Sequence, residues 1–218
     1  WGPPGLEAYE DAVQRGRDAG LLVIADVKRG DIGSTAAAYA AAHLVPRSGQ
    51  PHANAVTLNP YLGFDSISPF LDAAQTHDGG AFVLVRTSNP SAVDIQDLEV
   101  HGKPVYETVA HLVNQWGEDL MGECGYSSLG AVVGATSPEA LKHIRSIMPK
   151  AWFLVPGVGA QGATAQDVSS AFDANGLGAV VNASRSILYA FGEPETQDWR
   201  GAIAEAAANL QVELGKVA

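Results

Sequence analysis

Short apolar runs alternate with amphipathic stretches along the whole chain, and that alternation predicts a parallel sheet covered by helices. The runs at 21–25, 81–85, 129–133, 152–155 and 179–181 are continuously apolar and 53–58 is mostly so, as strands buried on both faces are. Apolar positions recur at helical spacing over 6–19, 34–44, 66–75, 104–116, 138–148, 165–172 and 199–214. The longest irregular stretch is 88–102, and long ordered loops often act as lids.

Six buried strands suit either an open doubly wound sheet or part of an eight-stranded barrel. The polar residues decide between them. They collect just after the strands, at Asp26, Thr57, 86–89, Gly134, 156–161 and 182–185. Consecutive βα loops that all carry polar or glycine-rich chemistry suit the mouth of an α/β (β/α)8 TIM barrel, where every loop reaches one site. A doubly wound sheet would concentrate such residues at its switch point. Barrels of about 250 residues use roughly 30 per βα unit. With no strand ahead of 6–19, the expectation is one barrel domain over 1–218, entered at the helix before barrel strand 3. The first two strands, on the order of 60 residues, would then lie outside the sequence.

Composition narrows the partners. An apolar share of 46% and a charged share of 17% describe a globular chain, and a net charge of −11 disfavours nucleic acid and anionic membranes. An anionic small molecule would need a local cluster of donors. The single cysteine, Cys124, excludes an intrachain disulfide and suits a reducing, cytoplasmic setting. No apolar run approaches the roughly 18 residues of a membrane span, and the start lacks a signal-peptide pattern. Nor do the six histidines occur in a metal-binding spacing.

Three segments carry candidate chemistry. In Asp26-Val27-Lys28-Arg29-Gly30-Asp31-Ile32, the first Asp and the Lys are two apart at a strand end and project to one side. Asp31 and Thr35, four apart at a helix start, share a face. A structural ion pair and an Asp near a helix N-terminus would give the same pattern. The second segment, Pro156-Gly157-Val158-Gly159-Ala160-Gln161-Gly162, follows one strand, and Asn182-Ala183-Ser184-Arg185-Ser186 follows the next. Glycines let a backbone approach an anion, and an arginine can bind phosphate oxygens in bidentate fashion. A tight turn beside a surface arginine is the plainer alternative. The third, Ser88-Asn89-Pro90, reads by itself as a turn. Asn59-Pro60-Tyr61 shapes a loop with Tyr61 in the core, and Trp116 and Trp152 are packing residues.

Asp-x-Lys-x-x-Asp followed by Ile, with Thr35 one turn on, resembles the signature of the orotidine 5'-phosphate decarboxylase family. The string from Asp26 to Ala40 is similar to its bacterial type 2 subgroup. Asn59-Pro60-Tyr61-Leu62-Gly63-Phe64, Thr87-Ser88-Asn89-Pro90 and the 156–162 loop add to the likeness, which runs over residues 2–187. The resemblance implies a lyase of pyrimidine biosynthesis that converts orotidine 5'-monophosphate to uridine 5'-monophosphate and CO2 without metal or other cofactor. It implies catalytic roles for Lys28, Asp26 and Asp31. It also implies substrate contacts from Ile32, Thr35, Ser88, Val158, Gln161, Ser184 and Arg185. Asp31, Ile32 and Thr35 would complete the neighbouring site of a homodimer. The family's first two strands normally supply a further Asp and Lys, so as a fragment the chain is expected to be poorly active. Two alternatives remain at this point: a Mg2+-dependent sugar-phosphate enzyme of the same suprafamily, and an inactive phosphate-binding fragment.

Overall fold

The computed structural model describes residues 1–192 and 198–218. In chain order the strands are β1 (Ile24–Arg29), β2 (Ala55–Leu58), β3 (Gly80–Arg86), β4 (Glu99–Val100), β5 (Lys103–Pro104), β6 (Ser127–Val133), β7 (Ala151–Pro156) and β8 (Ala179–Asn182). The helices are α1 (Gly2–Asp18), α2 (Gly33–Leu44), α3 (Phe64–Thr76), α4 (Val105–Trp116), α5 (Pro138–Ile147), α6 (Arg185–Leu188) and α7 (Trp199–Leu214). Six strands form a parallel sheet in the order β1-β2-β3-β6-β7-β8, and β4 and β5 make a small antiparallel hairpin. Each strand of the sheet lies beside the one before it, with no reversal of order. A doubly wound sheet needs such a reversal to create its crevice, so that alternative is excluded.

The chain divides into two compact units. The first holds residues 1–84 and 115–131. All four residues of β2 are buried, and its register with β3 runs from Ala55 opposite Gly80 to Leu58 opposite Val83. Leu44, Ile67 and Phe70 from α2 and α3 join Val56, Leu58 and Leu129 in its core. Continuous apolar strands follow from this two-sided burial. The second unit holds residues 85–114 and 132–218. There α5 buries Ala140, Leu141 and Ile144 along one stripe, and Val133, Phe153 and Val155 supply the strands' share of the core.

Four expectations need correction. The first strand is Ile24–Arg29, not 21–25: Leu21 and Leu22 are exposed, and pairing with β2 begins at Ile24 opposite Ala55. Asp26 and Lys28 therefore lie within the strand rather than after it. Tyr61 is 83% exposed, because it sits in a one-turn 3-10 helix whose start is capped by the Asn59 side chain, outside the core. Residues 166–171 form a 3-10 helix instead of an α-helix. The 88–102 stretch is not irregular throughout, since it contains a 3-10 helix at Pro90–Asp94 and leads into the β4–β5 hairpin. Its base is fixed by Arg86, whose Nε and Nη2 donate to the two Asp97 carboxylate oxygens at 2.7 and 3.0 Å. Apolar side chains remain exposed along it, at Val93, Ile95, Leu98 and Val100.

Candidate active site

In the first unit the chemistry gathers at the end of β1. Pairing with β2 is regular at Ala25 and shifts before Arg29, so β1 carries a bulge. Within it Lys28 has φ +45°, in the left-handed region that a lysine adopts only when its surroundings impose it. The bulge turns two side chains toward each other. Lys28 Nζ donates to Asp26 Oδ1 at 2.6 Å, and both side chains are about half exposed, so the pair is reachable by a ligand.

A third residue closes the arrangement. Thr57 is fully buried at the end of β2; its hydroxyl donates to Asp26 Oδ1 at 2.8 Å and accepts the Lys28 backbone N–H at 2.9 Å. Thr57 thus holds both the carboxylate and the strained backbone. Its position after an apolar run was the only sequence signal, and nothing there linked it to residues about thirty positions earlier.

Arg29 anchors the same bulge from the helix side. Its Nε donates to His43 Nε2 at 3.4 Å, and its guanidinium lies over the Tyr39 ring at 5.2 Å. His43 Nδ1 meets the Tyr9 hydroxyl at 3.0 Å. Burial pushes the His43 pKa down and the nearby Arg29 charge lowers it further, which favours the neutral ring. With Nε2 accepting, the ring proton sits on Nδ1 and is donated to Tyr9.

Asp31, Ile32 and Thr35 stand apart from this pair. Asp31 Oδ1 accepts the Ile32 backbone N–H at 2.8 Å, and among the described residues no hydrogen bond or ion pair joins Asp31 to Asp26 or Lys28. Ile32 is 54% exposed at the start of α2, and Thr35 is exposed in its first turn.

The second unit holds the glycine-rich loop and the arginine. Residues 157–163 fold back on themselves: Gly159 N–H donates to Ala163 O, Gly162 N–H to Gly159 O, and Ala163 N–H to Gly157 O. Gly157 and Gly159 have φ +116° and +80°. Space also requires glycine at 159, where a Cβ would meet Ser186 Oγ at 2.7 Å. Between this loop and the end of β8 lies a cavity of about 160 Å³. Gln161 and Arg185 line it with Val158, Asn182 and Ser184. Four of the expected residues therefore come together here: Val158, Gln161, Ser184 and Arg185.

Ser88 belongs to the same unit and packs near that loop. A Cβ on Gly134 would lie 2.7 Å from the Ser88 Cα, and one on Gly157 would be 3.3 Å from both Ser88 Cβ and Gln161 Oε1. Thr136 Oγ1 donates to the Ser88 carbonyl at 3.0 Å. Among the described residues, no group of three or more His, Cys, Asp or Glu side chains is arranged to hold a metal ion. No helix among them is long and apolar enough to cross a membrane.

Comparison with known proteins gives concordant results. The family model described as "Orotidine 5'-phosphate decarboxylase / HUMPS family" matches residues 3–197. An orotidine 5'-phosphate decarboxylase of Rhodopirellula baltica is 44% identical over 98% of the chain and 74% of its own length. One from Clostridium perfringens is 48% identical over 87% of the chain, which spans only 65% of that relative. Among solved structures, Leishmania donovani OMP decarboxylase superposes with a TM-score of 0.76 at 33% identity, covering 98% of this chain and 76% of that one. L. donovani UMP synthase gives 0.78 at 34% identity, covering 98% of this chain and 44% of its own.

Proposed function

The chain belongs to the orotidine 5'-phosphate decarboxylase / HUMPS family, and from that premise we propose that it catalyses the decarboxylation of orotidine 5'-monophosphate to uridine 5'-monophosphate. The observation that carries the reading is the Asp26–Lys28 ion pair in the strained end of β1. The names of the relatives favour this activity over the sugar-phosphate branch of the suprafamily. The resemblance of the string from Asp26 to Ala40 to the bacterial type 2 subgroup supports assignment to that subgroup. We read the six parallel strands as part of a (β/α)8 barrel in one domain, and the enzyme as cytoplasmic.

Loss of CO2 breaks the bond between the carboxylate carbon and C6 of the pyrimidine, leaving the electron pair on C6. That charge is barely delocalised, so the site must bring positive charge to it. Lys28 serves twice: its ammonium stabilises the developing carbanion, and then its proton moves from Nζ to C6. The resulting amine regains a proton from solvent. Asp26 keeps Lys28 oriented and presents negative charge toward the substrate carboxylate. Gln161, Arg185, Ser184 and Val158 receive the phosphate, and Ser88 the pyrimidine. Binding energy from the remote phosphate then helps organise the site. Every step is carried by side chains, and none needs a cofactor.

Asp31, Ile32 and Thr35 are proposed to serve a second copy in a homodimer. In support, Ile32 and Thr35 are exposed and Asp31 is not bonded to Lys28 of its own chain.

The decisive experiment follows the ultraviolet absorbance of orotidine 5'-monophosphate with purified protein, with and without EDTA. Turnover should be insensitive to EDTA, and Lys28→Ala should lower it by at least about a thousand-fold, the range expected for a lost proton donor and charge. Near-normal turnover in Lys28→Ala would refute the assignment. Mixing inactive Lys28→Ala and Asp31→Ala proteins should restore about a quarter of the sites, because a heterodimer holds one intact site in two. No recovery in demonstrated heterodimers would refute the shared site.

A further inference from the structure

Asn182 is the last residue of β8, and among the described residues its side-chain oxygen has no hydrogen-bond partner. Its Oδ1 is buried and, among the described residues, is the one buried side-chain polar atom without a hydrogen bond. Buried polar groups are nearly always satisfied, so an exception points to something that joins the site from outside the chain. The location says what that is. Asn182 lies opposite Pro156 in the parallel register of β7 and β8, and both residues line the cavity edged by Gln161 and Arg185. Paired residues of neighbouring strands face the same side of a sheet, which aligns Asn182 with the start of the glycine-rich loop.

We propose that Asn182 is a further substrate-binding residue, whose amide NH2 donates a hydrogen bond to the phosphate held between Gln161 and Arg185. This rests on the reading of that cavity as the phosphate grip and adds a further side-chain donor to Gln161, Arg185 and Ser184. A half-turn about the last side-chain bond exchanges the amide oxygen and nitrogen, which have nearly the same shape. The position now held by the orphaned acceptor then holds a donor. Among the described residues that turn takes the oxygen out of no hydrogen bond, because it makes none. An anion is the complement of such a donor, and a neutral amide binds it without the titration a histidine would bring. Aspartate at 182 would instead present a second negative charge to the phosphate.

Calorimetric titration of the full chain with uridine 5'-monophosphate, and separately with uridine, tests this without relying on turnover. Asn182→Ala should weaken nucleotide binding about ten-fold, the equivalent of one good hydrogen bond to a charged group. Asn182→Asp should weaken it by more than about a hundred-fold, through added repulsion. Uridine, which lacks the phosphate, should bind all versions alike. Thermal melting of the same samples separates a folding defect from lost binding, and Asn182→Ser supplies a smaller polar replacement if Asn182→Ala fails to fold. Nucleotide affinity of Asn182→Asp within two-fold of the parent would overturn the proposal. If the parent protein itself binds uridine 5'-monophosphate no better than uridine, the phosphate-grip reading fails first, and this inference fails with it.

Discussion

Thr57 decides where the amine of Lys28 sits. A left-handed residue other than glycine costs roughly 1–2 kcal/mol, and an ordinary hydrogen bond returns about 1 kcal/mol. The bond from the Lys28 N–H to the Thr57 hydroxyl is thus of the same size as the strain it opposes. Thr57→Val keeps the shape and removes both bonds, so the bulge should relax and Asp26 should lose one of its two donors. We expect kcat to fall by about 10- to 100-fold with KM nearly unchanged, and Thr57→Ser to restore most of it. A kcat in Thr57→Val equal to that of the parent would show that the amine is positioned without the hydroxyl. The same residue marks the limit of what the sequence discloses. Asp26 and Lys28 are two apart, so the spacing points to one side of the strand, while the bulge at Lys28 completes their meeting. Thr57 reaches them only through the β1–β2 register, which a bulge then shifts. Asn182 is legible as a polar residue after a strand, but its missing partner is visible only once the chain is folded.

Arg145 shows how an element can be decided by a side chain from another. It leaves the last turn of α5 and spreads its guanidinium over four backbone carbonyls. Nε and Nη2 both donate to Ala171 O at 3.1 and 2.7 Å, Nη1 to Met148 O and Ala151 O, and Nη2 also to Gly178 O. The guanidinium also stacks on Phe153, 3.6 Å from the ring centre. Helical periodicity at 165–172 predicts an α-helix, yet the segment ends as a 3-10 helix whose last carbonyl, that of Ala171, is taken by Arg145. An outside donor satisfies the group that the next helical turn would otherwise need to serve. Removing these bonds in Arg145→Met should lower unfolding stability by about 3 kcal/mol, because several buried carbonyls lose a charged donor together. Urea denaturation would measure this, and a midpoint equal to that of the parent would refute it. The buried strands and the α-helices were legible because burial on both faces, or along one stripe, writes itself into the apolar pattern. Leu21 and Leu22 misled for the same reason. They are apolar without being buried, and β1 instead continues into its polar end.

For the molecule as a whole, the balance of charge and the placement of its titratable groups pull in opposite directions on acidification. At neutral pH the chain carries a net charge of −11, and its isoelectric point is near 4.8. Self-repulsion therefore vanishes near pH 4.8, which by itself would favour the folded state there. Individual groups act the other way. The pKa values of His43 and His52 are lowered, chiefly by burial, with Arg29 adding to the first, and Arg17 and His77 to the second. A histidine whose pKa is lower when folded contributes stability above its ordinary value near 6.5 and loses it as pH falls toward the folded value. Protonating His43 would also set a second donor against Arg29 Nε–H. Glu107 extends the loss to lower pH. It is held at about 2 by hydrogen bonds from Lys103 and His143, so its contribution is present above about 4.5 and disappears as pH falls toward 2. Thr164 lowers Asp167 in the same direction. Specific groups change partners at contact distance, whereas general repulsion at physiological salt is screened beyond about 8 Å. The specific effects should win, and the fold should be more stable at pH 8 than at pH 4.8. Urea midpoints at pH 8, 6 and 4.8 should fall in that order, and His43→Gln, which replaces the ring with an uncharged acceptor, should flatten the decline below pH 6.5, chiefly the step between 6 and 4.8. A stability maximum at the isoelectric point would instead show that overall repulsion, and not these contacts, governs the acid response.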